Sequence, residues 1–297
     1  MTTPVTPTEI MVGVDGSASS IEAVRWAARE AAMRKVPLVI VNVRSALPVS
    51  AAAMGWAVAP IPQEIFDWQI QRAQAVVNDA EDMVHAAEPR VRVISEVISG
   101  SAAQTLIDLS KDALMIVVGC RGLDALQRGI AGSVSTAVVH HGHCPVAVIH
   151  TEPATTAPAT HAPVLVGIDG SPASELATAI AFEEASFRGV DLIALHAWSD
   201  EDMSGFPGTN RSAVIGTARE TLAERLADWN ERYPDVTVHP HIVFDHPARH
   251  LLDQSQAAQL VVVGSHGRGG FAGMLLGSVS TAVVHAARVP VIVARQS

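Results

Sequence analysis

The sequence predicts an α/β protein built from two tandem open five-stranded parallel sheets with helices on both faces. One observation is a repeat. MVGVDGSASS at Met11–Ser20 returns as LVGIDGSPAS at Leu165–Ser174, an offset of 154 residues, and VVGCRGLDALQRGIAGSVS at Val117–Ser135 returns within VVVGSHGRGGFAGMLLGSVS at Val261–Ser280, an offset of 145. A second is that the β-branched runs are continuous and do not alternate, as in strands buried on both faces, and helical periodicities separate them. A third is length: 297 residues suit two domains, each large enough to bury a core.

The elements follow in order within each copy. Ile10–Val14 is a short apolar strand ending at Asp15, and Ser17 or Ser19 can cap the helix behind it, where Ile21, Val24, Ala28 and Ala31 form a stripe at helical spacing. Pro37 ends that pattern and Leu38–Val43 begins the next strand. Ala73–Ala87 reads as helix, Val91–Val97 as strand, Ala102–Leu109 as a short helix and Leu114–Val118 as the strand leading into the glycines. Ser133–His141 is helical and Pro145–Ile149 closes the unit. The strands of the second copy are Val164–Ile168, Leu192–Ala197, Val236–Val243, Leu260–Val263 and Pro290–Ala294. TEPATTAPATHAP, Thr151–Pro163, has no face to bury and is stiffened by proline, so it reads as the linker. The domains are then 1–150 and 164–297, with the linker at 151–163. The first copy carries nine more residues than the second, mostly in Ser45–Glu64 against the shorter Ser199–Val214.

Composition excludes several functions. The chain has 20 basic and 30 acidic residues, a net charge of −10, so it is a poor nonspecific ligand for nucleic acid or an anionic membrane. One Tyr, six Phe and five Trp are too few for base-stacking platforms. No apolar run reaches the length of about 18 residues that suggests a spanning helix, and MTTPVTPTEI lacks the basic flank and apolar stretch of a signal peptide. Cys120 and Cys144 have no counterparts in the second copy, and two lone thiols fit a reducing cytoplasm.

The chemistry lies in the glycines. Gly119, Gly122, Gly132 and Ser133 recur as Gly264, Gly267, Gly277 and Ser278. In an open parallel sheet, ligands bind past the carboxyl ends of strands, where Asp15, Asp169, Gly119 and Gly264 fall. Glycine permits φ > 0 and a close ligand approach. Gly-Ser then opens a helix whose free N–H groups favour an anion, and the hydroxyls of Ser133, Ser135, Ser278 and Ser280 can add donors. A lone Gly-x2-Gly marks a tight turn; the duplicated spacing, behind a buried strand, favours a phosphate cradle made mostly of backbone. There is no G-x-x-x-x-G-K-[ST], so no Walker lysine is present, and no G-x-G-x-x-G follows the first strand.

On VGVDGS, VGIDGS and the two G-x2-G-x9-G-S segments, the chain resembles a tandem universal stress protein of the ATP-binding kind over nearly all of both halves. The resemblance implies a Rossmann-like fold, pairing of Pro145–Ile149 with Pro290–Ala294, and ATP at two sites per chain, with Mg²⁺ as its accompanying ion. It places Gly13, Asp15, Gly167 and Asp169 at the adenosine side, the backbone of Val41 and Leu195 against adenine, and Val118, Gly119, Val263 and Gly264 beside the ribose. Gly122, Gly132, Ser133, Val134 and Ser135 would surround the phosphates in the first copy, and Gly267, Gly277, Ser278, Val279 and Ser280 in the second. Between the glycines the copies differ: Arg121 aligns with His266, while Arg128 and Arg268 are separate additions. Each is either a phosphate partner or a solvated charge.

HHGHC, His140–Cys144, packs three histidines and a cysteine together, but the second copy reads HAARV there, so no metal site is duplicated. Cys144 reads as a small buried residue and Cys120 as the more exposed thiol, open to oxidation. Asp15 and Asp169 are the acidic residues that the motifs hold near the cleft, with no second carboxylate to complete a two-metal hydrolase site. Two function classes remain: a nucleotide-binding stress or growth regulator with slow or no hydrolysis, working as a homodimer or through a protein partner, and a nucleotide-using enzyme. A structural pseudo-dimer without nucleotide is the third reading.

Overall fold

A computed structural model describes residues 8–44, 63–120, 132–150, 161–198, 211–268 and 275–295. It divides into two compact units, Met1–Val138 and Val139–Ser297.

The first unit runs β1 (Ile10–Gly13), α1 (Ala18–Arg34), β2 (Leu38–Arg44), α2 (Gln63–Ala87), β3 (Val93–Ser99), α3 (Ala102–Leu109), β4 (Met115–Gly119) and the start of α4 (Ser133–His141). Its strands lie in the order β3-β2-β1-β4, all parallel, with Val12 opposite both Ile40 and Val117. Ser17 is the residue that caps α1, accepting from Ser20 N–H at 3.2 Å. α2 begins ten residues before the apolar periodicity does. Ile65, Trp68 and Ile70 in its first turns are exposed, so no buried stripe marks that stretch in the sequence. From Ala73 onward, Ala73, Val77, Ala80 and Val84 face the core.

The second unit contains the end of α4, β5 (Val146–Ile149), β6 (Val164–Ile168), α5 (Pro172–Arg188), β7 (Leu192–Trp198), α6 (Arg211–Arg232), β8 (Val238–Phe244), α7 (Pro247–Ser255), β9 (Leu260–Gly264), α8 (Ser278–Ala286) and β10 (Val291–Ala294). Its order is β5-β10-β9-β6-β7-β8. Five of these strands are parallel, and β5 is antiparallel to β10, with Ile292 opposite Ala147. The expected pairing of Pro145–Ile149 with Pro290–Ala294 forms, and it alters the expected pair of five-stranded parallel sheets. β5 is wholly buried, and its pairing with β10 groups it with the second unit and makes that sheet mixed. An apolar strand of this kind needs a partner for its edge, and an antiparallel neighbour supplies one.

Side chains brace this β5–β10 seam at equivalent positions. The two ring nitrogens of His150 lie 3.1 Å from the Val289 carbonyl and 3.0 Å from the Val284 carbonyl. Its counterpart Arg295 donates to the carbonyls of Gly142 and Val139 at 2.9 and 2.6 Å, and to Leu275 at 2.8 Å. Both side chains thus reach backbone carbonyls beside the neighbouring strand.

His140 sits beside this seam. Burial, then His141, Arg295 and His285, hold its pKa below the usual 6.5. A lowered histidine pKa means the unfolded chain takes up the proton first, so its contribution to stability is full above about pH 6.5 and declines on acidification. Urea titrations at pH 8 and pH 5.5 should show the His140→Gln variant losing less stability on acidification than the parent; an equal loss would remove His140 as a cause.

Each copy also buries an ion pair at one offset. Glu30 accepts from Arg34 at 2.7 Å in α1, and Glu184 pairs with Arg188 at 2.8 Å in α5, both glutamates having 0% exposure.

Candidate functional site

In each copy the strand order reverses beside the first strand: β1 has β2 on one side and β4 on the other, and β6 has β7 and β9. The carboxyl ends of β1 and β4, and of β6 and β9, therefore flank a switch-point crevice.

The acidic turns lie at its lip. Asp15 Oδ1 accepts from Ser17 N–H, and Asp169 Oδ1 from Ser171 N–H, both at 2.9 Å. Each aspartate thus closes an Asx turn that delivers its helix cap. Between them and the caps, Gly16 (φ 84°) and Gly170 (φ 78°) adopt the left-handed conformation that favours glycine. Positive φ occurs in these turns and not at Gly119, Gly264 or Gly267. At Gly119 and Gly264 the need for glycine is closeness. A Cβ at Gly119 would lie 2.7 Å from the Ser19 backbone, and one at Gly264 2.8 Å from the Ala173 backbone, because the first turn of α1 or α5 crosses the strand end. Gly13 and Gly167 similarly receive Leu106 of α3 and Leu251 of α7.

The glycine-rich stretches are closed at their bases. Gly132 N–H donates to the Cys120 carbonyl at 2.6 Å, and Gly277 N–H to the Ser265 carbonyl at 2.7 Å. Ser135 donates to the carbonyls of Gly132 and Cys120 at 2.9 and 3.2 Å, and Ser280 to the Gly264 carbonyl at 2.5 Å. These two buried hydroxyls bond to backbone carbonyls at the ends of the stretch. Ser133 and Ser278 are exposed, and Val134 and Val279 are half-buried behind them. No side chain caps α8, whose N-cap is Gly277, so its first N–H groups have no side-chain acceptor. In the second copy the stretch is tied to the acidic turn: Arg268 N–H donates to Asp169 Oδ2 at 3.1 Å, and Arg268 Nε reaches the Asp169 carbonyl. Gly267 packs under that carboxylate.

Other expected residues contribute backbone only. Val41, Leu195, Val118 and Val263 bury their side chains, and the Val41 carbonyl already accepts from Val14 N–H at 2.9 Å. His266 keeps Nδ1 3.1 Å from Ser265 Oγ, and its carbonyl accepts from Ser171 Oγ at 3.1 Å. Arg121, Gly122 and Arg128 lie outside the described residues, as does most of the linker. Cys120 is buried, at 5% exposure, which corrects its reading as an exposed thiol; Cys144 is buried as well. Among the described residues no group of three His, Cys, Asp or Glu side chains is placed to hold a metal.

Two residues at the crevice went unread in the sequence. Asn42 on β2 donates to the Val14 carbonyl at 2.8 Å, and His196 on β7 holds the Ile168 carbonyl through Nδ1 at 2.6 Å. Both are buried and both anchor the peptide that precedes the aspartate. The signal was available as one polar residue at matching positions of two apolar runs, LVIVNV and LIALHA. A separate cavity of about 240 Å³ is lined by His161, Asp191, His239 and His241 among others. It opens at the amino ends of β6, β7 and β8, away from the crevice.

The fold and site define a duplicated α/β protein with a switch-point crevice in each copy, an Asx-turn aspartate at its lip and the joined ends of a glycine-rich stretch beside it. The chain belongs to the Universal stress protein family, whose profile matches residues 8–150 and 161–295. It is 52% identical over 291 residues to universal stress protein Rv2005c of Mycobacterium tuberculosis, covering 97% of each chain. It is 50% identical over 291 residues to universal stress protein Rv2623 of the same species, covering 97% of this chain and 96% of that one. A crystal structure of a universal stress protein from Archaeoglobus fulgidus shares the fold, with TM-score 0.70, 20% identity and coverage of 99% of this chain and 100% of that one. Among the described residues no helix is long and apolar enough to cross a membrane.

Proposed function

We propose that the chain is an ATP-binding regulator in which each copy holds one adenine nucleotide, and that occupancy, more than turnover, changes its assembly or partners in stress response or growth regulation. The observation that carries this reading is the second-copy crevice. The uncapped N-terminus of α8, with exposed Ser278 on its first turn, follows a base closed by the Gly277–Ser265 hydrogen bond. That is a backbone site for phosphate. Asp15 and Asp169 stand at the adenosine side of the proposed sites, with Gly13 and Gly167 behind them. The backbone of Val41 and Leu195 would serve adenine, and that of Val118, Gly119, Val263 and Gly264 the ribose. Gly122, Gly132, Ser133 and Val134, and Gly267, Gly277, Ser278 and Val279, would surround the phosphates. One carboxylate per site is too few to hold Mg²⁺ alone, so in this reading the ion arrives on the nucleotide phosphates.

The same reading includes two domains joined by the 151–163 linker, a cytoplasmic location and a homodimer of the chain. Calorimetric titration of nucleotide-free protein should give two ATP per chain. One site or none would overturn the stoichiometry, and rapid steady-state phosphate release would move the protein into the enzyme class.

A further inference from the structure

Arg225 lies on α6, in register with the aromatic residues through which α6 packs on α5. Trp229 and Tyr233 follow it at intervals of four, and their rings lie 6.0 and 5.8 Å from that of Phe182 on α5. Residues so spaced share a face, and helical side chains lean toward the helix N-terminus. That lean carries the guanidinium of Arg225 onto the acidic turn, where a Cβ at Gly170 would overlap it. The first copy differs. Its turn glycine, Gly16, faces Val76, and Ala80 occupies the position that aligns with Arg225 at the offset of 145.

One nitrogen of the guanidinium is unsatisfied there. Nη1 of Arg225 is buried and has no hydrogen-bond partner. In the turn beneath it, Asp169 is engaged elsewhere: Oδ1 accepts from Ser171 N–H and Oδ2 from Arg268 N–H. A buried cationic donor without an acceptor is unfavourable, and an incoming oxyanion removes that penalty. The turn beneath it is the one whose aspartate meets Gly267 and Arg268 of the glycine-rich stretch, on the phosphate side of the proposed site, so the donor lies where the acidic turn and that stretch join.

We infer that Arg225 is a ligand-contacting residue of the second site only, giving that site a preference for phosphorylated over unphosphorylated adenine ligands that the first site lacks. The inference rests on the nucleotide reading above. The two copies thus hold unequal sites: the first meets its ligand beside Val76, the second beside a cation.

Calorimetric titration of the full chain with ATP and with adenosine tests it. Arg225→Gln should weaken ATP at one of two sites by about ten- to a hundredfold, the range for a charged hydrogen bond. Adenosine affinity and the other ATP site should be unchanged, and Arg225→Lys should recover part of the loss. Circular dichroism of each variant reports folding. Unchanged ATP affinity at both sites in folded Arg225→Gln overturns the inference while leaving the nucleotide reading intact. An equal loss for adenosine also overturns it, since the arginine would then act on the shape of the turn. A parent chain that binds no ATP overturns both.

Discussion

Gly267→Val should reduce ATP affinity at the second site by at least about a hundredfold while the first site and the sheet remain intact. A Cβ at position 267 would lie 2.5 Å from Asp169 Oδ2, so the carboxylate must shift away from the stretch and strain its hydrogen bond with Arg268 N–H, and the two further methyls of valine enter the same space. Forced displacement costs about 1–3 kcal/mol, and a charge-assisted hydrogen bond is worth about 1.5–3 kcal/mol, which together correspond to about two to four decades of affinity. Gly267 lies outside the strands, so the fold should tolerate the change. Ser278→Ala is the contrasting variant. Its hydroxyl is one donor among the N–H groups at the start of α8, and its removal should weaken ATP by roughly tenfold. Titration calorimetry beside circular dichroism separates the cases: ordinary two-site ATP binding by folded Gly267→Val would show that the glycine-rich stretch is not the cradle.

Arg188→Met should destabilise the second unit by about 3–5 kcal/mol, because it removes the guanidinium from a glutamate with 0% exposure. Arg34→Met should act similarly on the first unit through Glu30. The double variant Glu184→Leu, Arg188→Met should recover most of the loss, since an apolar pair of similar volume avoids stranding a charge. Urea unfolding reads both effects. A single-variant loss below about 1 kcal/mol would mean that water or another donor replaces the arginine.

Much of the crevice was legible because duplication compares the chain with itself. Aspartate after an apolar run, followed by Gly-Ser, specifies a turn and a cap through contacts two or three residues apart. Those contacts formed at Asp15–Ser17–Ser20 and at Asp169–Ser171–Ser174. The glycines were legible as necessary, but their reasons were not. Gly119 and Gly264 read as openings for a ligand, whereas the structure sets helix backbone against them. Ser135 and Ser280 read as donors to an anion, yet their hydroxyls turn inward to the carbonyls of the stretch. The span α2 covers before Ala73 had no signature because its apolar residues there are exposed.

By itself the sequence determined what short-range physics controls: two copies, the α/β class, most element boundaries, the capped acidic turns and the helix opened by Gly-Ser. Hydrogen-bond geometry and periodicity act over a few residues, and the repeat supplied each reading twice. Only the tertiary structure decided what distant residues meet. It ran β5 antiparallel to β10 and grouped it with the second unit, brought the carboxylate of Asp169 onto Arg268, set His150 and Arg295 against carbonyls of that same seam, and laid Arg225 over Gly170. None of these contacts leaves a local pattern. Each depends on where packing of the apolar faces brings together segments that lie tens of residues or more apart in the chain, and burial by the whole fold makes each one matter.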